Sequence, residues 1–159
     1  MMRYTGKLRC WSRFVGIPQN LSLFCVPDGE KLARIPGVGE TGIDDLYRVS
    51  RADVDYVVVE HKFVGSGTGK GSTRLGDTAD GKQGSETWTQ GSGRLEKAVG
   101  DQNALDVRLA FDAGRVETWV VTTRPNGSTI VEVLDAFGKP KPVDTSKILT
   151  GLNLSGAQL

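Results

Sequence analysis

A chain of 159 residues has the length of one domain and enough material to bury a core. Its 20 Lys and Arg against 19 Asp and Glu leave a net charge of +1, so no global pull towards nucleic acid exists, and any such binding must come from a local patch. A single histidine excludes a two-histidine ribonuclease mechanism, two cysteines make no disulfide framework, and no apolar run reaches the length of a membrane span.

Residues 1–27 form a poorly defined N-terminal segment, with short apolar runs between prolines and no clean period. It opens MMRYTGKLRCWSRFVG, without the apolar core of a secretory signal peptide. Its Cys10 and Cys25 read as free thiols in a reduced compartment. Asp28 is placed to cap a short helix over 28–35, which Pro36 and Gly37 end. A glycine-rich approach follows, in which Glu40 is either a surface carboxylate or a neighbour of Asp44.

The stretch GIDDLYRVSRADVDYVVVEHKF contains two strand-like runs, 43–49 and 54–63, joined by a polar turn. If Val49 opposes Asp55, then Asp44 opposes Glu60. Alternation with period two adds Lys62 to that face, giving a patch of two carboxylates and an ammonium. The other face carries Ile43, Tyr47, Val57, Val59 and Phe63 and is the expected core face. Leu46, Tyr56 and Val58 accompany the acidic patch, so that face is also part covered, as in a layered α/β fold. A one-residue slip would bring Asp45 opposite Glu60, and both aspartates stay candidates.

Residues 64–85 are glycine-rich and polar and read as a long loop. The run from Gly65 to Ser72 looks superficially like a phosphate-binding loop, but Lys70 is followed by Gly71 rather than Ser or Thr, and nucleotide hydrolysis is rejected. A helix over 83–99 is expected to break near Gly91, with Trp88 in the core. A second helix over 103–113 places Leu105, Leu109 and Ala110 on one face and stops at Gly114. Strands at 116–124, with Trp119 in the core, and at 129–135 flank the hairpin turn Pro125-Asn126-Gly127-Ser128. From residue 138 the chain reads as a mobile extension.

Two adjacent carboxylates repel each other and call for a neutralising cation. Mg2+ suits their hard oxygen ligands and leaves positions for phosphate and water, with Mn2+ as a substitute and Zn2+ behind both. Lys62 is then placed to stabilise charge developing on a phosphate, Gln83 to position water or substrate, and the carbonyl of His61 to be a further ligand. The His61 side chain alternates away from Glu60 and is expected packed or partly exposed. A surface ion pair would bring the same charges together without chemistry.

Asp44, then Glu60-x-Lys62 on the next strand, then Gln83 opening a helix, resembles the PD-(D/E)XK nuclease superfamily. The segments GIDDLYRV, DYVVVEHKF, DGKQGSETW and GSGRLEKAVG resemble, more narrowly, restriction-endonuclease-like toxin domains at the C-termini of bacterial polymorphic toxins. The resemblance spans 42–100, with 116–135 compatible as later strands. Ile43 stands where many members have proline, and the superfamily's long N-terminal helix is not evident.

The resemblance implies an α/β (α+β) fold with a restriction-endonuclease-like mixed β-sheet core flanked by helices, over residues 28–137, with 138–159 as an extension. It puts the metal on Asp44 and Glu60 and gives Lys62 and Gln83 catalytic roles. It further implies an effector domain delivered by contact-dependent or type VI secretion into the cytoplasm of a target bacterium, with a cognate immunity protein. The expected activity is metal-dependent cleavage of double-stranded DNA with little sequence preference. Cleavage of tRNA on the same fold, or an inactive binding module, are the alternatives. Lys70, Arg74, Lys82, Arg94 and Lys97 are the expected phosphate contacts, or simply solvated charges.

Overall fold

The computed structural model describes residues 29–32 and 42–142, which form an α+β fold. The strands are β1 (Glu30–Lys31), β2 (Asp45–Arg48), β3 (Tyr56–Phe63), β4 (Asp77–Thr78), β5 (Gly81–Lys82), β6 (Val116–Thr123) and β7 (Thr129–Leu134). The helices are α1 (Glu86–Gln90), α2 (Arg94–Val99) and α3 (Asp101–Asp112). The main sheet has the order β1-β2-β3-β6-β7, with β4 and β5 paired separately. It is mixed: β3 and β6 run parallel and every other pair is antiparallel. A parallel pair needs a long crossover, and the three helices lie within it.

β3 is the centre because its sequence permits nothing else. Tyr56, Val57, Val58, Val59 and Glu60 are all buried, so both faces of the strand are covered. On one face Leu46, Tyr56 and Val58 pack with Trp88, Leu95, Ala98, Ala104, Val107 and Ala110 of the helices. On the other, Val57 and Val59 join Tyr47, Val49, Val54, Trp119, Val121 and Val133. All three helices contribute to the first cluster and none to the second. Trp88 and Trp119 are buried in these cores, as expected.

The β2–β3 register is the expected one: Asp45 pairs with Val59, Tyr47 with Val57, and Val49 N–H donates to Asp55 O at 2.8 Å. The hairpin is also tied to β6. Arg115 grips both carboxylate oxygens of Asp55 at 2.7 Å, and Arg51 reaches Glu117 at 2.8 Å. Those ion pairs pin where β6 begins beside β3, which fixes the parallel register Glu60↔Val120 and Lys62↔Thr122.

Several expectations are corrected. The predicted helix over 28–35 is not formed where the chain is described: Glu30 and Lys31 are an edge strand, and the Asp28 cap, Glu40, both cysteines and the rest of residues 1–27 lie outside the described residues. Two apolar residues change place. Ile43 packs in the helix-side cluster, because the chain has left strand geometry before β2 starts, and Phe63 is 67% exposed at the end of β3. The region 64–85 is more ordered than a long loop: residues 71–74 form a 3-10 turn and β4–β5 a small hairpin. The helix expected from 83 starts later, where the Ser85 side chain accepts from Trp88 N–H, and it does break at Gly91. At the other end, Pro140 bridges to Leu134, so the chain stays attached past residue 138. No helix among the described residues is long and apolar enough to cross a membrane.

On α3 the buried stripe is Ala104, Val107 and Ala110, whereas Leu105 and Leu109, read as core from their spacing, are 52% and 58% exposed. Small residues win because α3 lies close against α2 and the sheet, and the leucines rotate outward. Accordingly Val107→Ala should destabilise the fold by about 1–3 kcal/mol, while Leu109→Gln should stay within about 0.5 kcal/mol. Urea unfolding of the two variants checks this; equal losses would mean that the α3 face is misassigned.

Candidate active site

The β2–β3 register decides between the two aspartates. Asp44, one residue before β2, lies on the face of Glu60: its Oδ2 accepts from His61 N–H at 2.7 Å. Asp45 lies on the opposite face, where it is paired with Lys31, 3.1 Å from His61 Nε2 and 3.5 Å from Tyr47 OH. The His61 side chain thus alternates away from Glu60, as expected, while its backbone N–H holds Asp44.

Glu60 is completely buried, a costly place for a carboxylate. Its Oε2 accepts from Gln83 Nε2 at 2.6 Å and sits 3.7 Å from Lys62 Nζ. Its Oε1 is buried and accepts no hydrogen bond. The structure therefore brings Asp44, Glu60, Lys62 and Gln83 together from three separate parts of the chain. Gln83 acts from the turn before α1, not from the helix itself.

Glycines make this convergence possible. Gly84 has φ +80°, and a Cβ there would come within 2.6 Å of Leu134 Cδ1, so only glycine lets the chain turn against β7 directly after Gln83. Gln83 N–H donates to Gly76 O at 2.8 Å, which holds the other side of the turn. Gly71 lies on the sheet itself: an added Cβ would meet Thr122 Oγ1 at 2.6 Å and Lys62 Cβ at 2.8 Å. The residue that spoils a phosphate-loop motif is therefore the one that lets the 3-10 turn press against the stem of Lys62. Gly71 N–H donates to Thr122 Oγ1 at 2.7 Å, and Ser72 gives its N–H and hydroxyl to the Glu132 carboxylate. Sequence reasoning missed Gly71, Thr122 and Glu132. Only the alternation of Glu132 with apolar residues in β7 hinted at an inward carboxylate.

The electrostatics differ between the two faces. Burial, and then the charge of Asp44, push the Glu60 carboxyl up to about 8; Lys62, the Gln83 amide and the Asp44 backbone N–H draw it down by less. For Asp45, burial acts upward, but hydrogen bonds and charge from His61 and Lys31 outweigh it and hold the carboxyl below its ordinary value. Burial and the adjacent Asp45 raise the Tyr47 phenol. The partners outweigh burial at Asp45, whereas at Glu60 burial outweighs them and one oxygen is left without a hydrogen bond.

That shortfall fits a hard cation. Glu60 offers a buried oxygen without a hydrogen-bond partner, and Asp44 brings a second carboxylate to the same face. Among the described residues no group of three or more His, Cys, Asp or Glu is gathered, so protein side chains would supply only part of a coordination shell, as is usual for Mg2+.

The five expected phosphate contacts divide. Lys70 and Arg74 flank the turn against Lys62 and are exposed, and Lys97 is exposed on α2. Lys82 is half-buried, with its Nζ 3.2 Å from Leu75 O. Arg94 is engaged within the fold: its guanidinium binds Asp80 at 2.6 Å and two backbone carbonyls, and stacks over Trp88 with 4.7 Å to the ring centre. Comparison of the chain with protein-family models, curated proteins and solved structures gave no match.

Proposed function

We propose that this chain is a metal-dependent nuclease toxin that hydrolyses phosphodiester bonds, acts on DNA with little sequence preference, serves competition between bacteria and is held in check by a cognate immunity protein. The observation that carries the reading is Glu60: a buried carboxylate with an unsatisfied oxygen, beside Asp44, Lys62 and Gln83. Support also comes from the order of these residues along the chain and their strand-strand-turn setting, which resembles a restriction-endonuclease-like core.

In this reading Asp44 and Glu60 would hold Mg2+ or Mn2+. A divalent cation held there would supply Lewis-acid polarisation of a phosphate oxygen and a more acidic water. The protein's own groups do the rest. His61 N–H fixes the direction of the Asp44 carboxylate. The Gln83 amide fixes Glu60 Oε2 and leaves Oε1 without a hydrogen bond, the oxygen that would be available to a cation. Lys62, its stem confined by Gly71, presents an ammonium to the negative charge that grows on the phosphate as the water attacks. Lys70 and Arg74 supply phosphate contacts next to it, which hold the backbone of the nucleic acid without reading its sequence.

The test is incubation of the purified protein with supercoiled plasmid and with total RNA, with Mg2+ and with excess EDTA. Plasmid should be nicked and linearised with Mg2+ and left intact with EDTA. Cleavage that persists in EDTA would sink the metal mechanism, and intact plasmid beside cut tRNA would move the substrate to RNA.

A further inference from the structure

The turn after β7 holds an aromatic ring out in solvent beside this site. Asp135 Oδ1 accepts from the backbone N–H groups of Phe137 and Lys139, both at 2.9 Å, and Gly138 N–H donates to Asp135 O at 3.0 Å. The turn is then clamped to the segment that carries Gln83. Gly138 has φ +75°, and a Cβ there would lie 3.1 Å from Gln83 O and 3.2 Å from Ser85 N. Glu86 N–H, in the first turn of α1, donates to Ala136 O at 3.0 Å. Phe137 is therefore fixed at its base, yet 74% exposed.

The ring borders a cavity of about 400 Å3, lined also by Lys82, Ser85, Glu86, Thr87 and Ala136. Its lining is mostly apolar around the Phe137 ring: the Ser85 and Thr87 hydroxyls are bonded to each other at 3.1 Å, while Glu86, one oxygen of which accepts from Gln90 Nε2 at 3.1 Å, and Lys82, which donates to Leu75 O at 3.2 Å, each keep one carboxylate oxygen or ammonium hydrogens to spare. An aromatic face stacks on a planar ring, the carboxylate accepts from an exocyclic amino group, and lysine attracts phosphate. A nucleotide matches all three. A base inside a duplex has both faces covered by its neighbours, so it can stack on a protein ring only when unpaired or turned out. Gln83 lies between Lys82, on the cavity wall, and the turn at Gly84, and its amide touches Glu60.

We infer that this cavity binds one unpaired nucleobase of the substrate, stacked on Phe137, so that the preferred substrate has single-stranded nucleotides beside the bond to be cut. The inference rests on the nuclease reading and narrows its substrate. Every strand can use such a contact, because each base has a stacking face, and sequence preference stays weak.

The test uses the full chain carrying Glu60→Gln, so that nucleic acid is bound and not cut. Binding of a fluorescein-labelled mixed-sequence single-stranded DNA 12-mer and of a blunt 12-base-pair duplex is followed by anisotropy with Mg2+ present. Phe137→Ala should weaken single-strand binding by about 5- to 100-fold, Phe137→Trp should restore it, and duplex binding should be unchanged. Equal affinity of the Phe137→Ala and parent proteins for the single strand would overturn the subsite, as would an equal loss for strand and duplex. If single-strand binding depends on Phe137 but protein with Glu60 intact leaves the 12-mer whole in Mg2+, the subsite stands and the nuclease reading falls.

Discussion

Glu60→Gln should abolish cleavage and, at the same time, make the protein more stable. The two effects share one cause. Glu60 is fully buried, and burial together with the Asp44 charge raises its carboxyl from 4.5 to about 8. A folded-state value above the unfolded one means that the folded protein prefers the protonated form. Its contribution to stability is therefore fully present below about pH 4.5 and is lost as pH rises through about 8. Glutamine is neutral throughout, so the variant keeps what the wild type loses. In EDTA the melting temperatures should be nearly equal at pH 4.5 and should separate by several degrees in favour of the variant at pH 9, a difference on the order of a few kcal/mol. Loss of the carboxylate should lower cleavage by at least about a hundredfold. Equal melting temperatures at pH 9 would mean that Glu60 carries no unfavourable buried charge, and wild-type cleavage by the variant would remove it from the site.

A buried charge kept at the expense of stability is a usual mark of a functional site. It also explains what could be read from the sequence. The β2–β3 register was legible because strand alternation and the Val49–Asp55 closure leave few ways to cover both faces of β3. That register alone separates Asp44 from Asp45. The turn at Pro125–Ser128 and the break at Gly91 were legible because glycine and proline limit the backbone directly. Leu105 and Leu109 misled because spacing defines a face of α3 but not which face the neighbours can accommodate. The residue pairs at 28–35 misled because a two-residue edge strand has no periodicity to detect. The roles of Gly71 and Glu132 were illegible because each depends on a partner about 50 to 60 positions away in the chain.

Divalent-cation affinity should fall about tenfold for each pH unit below about 8 and level off above it. The sign follows from Glu60: only its ionised form is a ligand, and at pH 6.5 the buried carboxyl holds a proton that must leave on binding. Mg2+ or Mn2+ titrated into the protein at pH 6.5 should thus release close to one proton, and at pH 9 almost none. Calorimetry in two buffers of different ionisation enthalpy measures the number directly. Cleavage at sub-saturating Mg2+ should follow the same curve and drop roughly fiftyfold between pH 8 and pH 6. Lys62 provides an internal check. Its ammonium lies 3.7 Å from Glu60 Oε2 and draws the carboxyl down, so Lys62→Met should move the inflection of cation affinity to higher pH. That displacement distinguishes a lysine that acts on the Glu60 charge from one that only contacts substrate, for which the inflection would stay in place while cleavage fell. A cation affinity flat from pH 6 to pH 9 in the wild type would show that Glu60 is not a ligand, whatever the fate of cleavage.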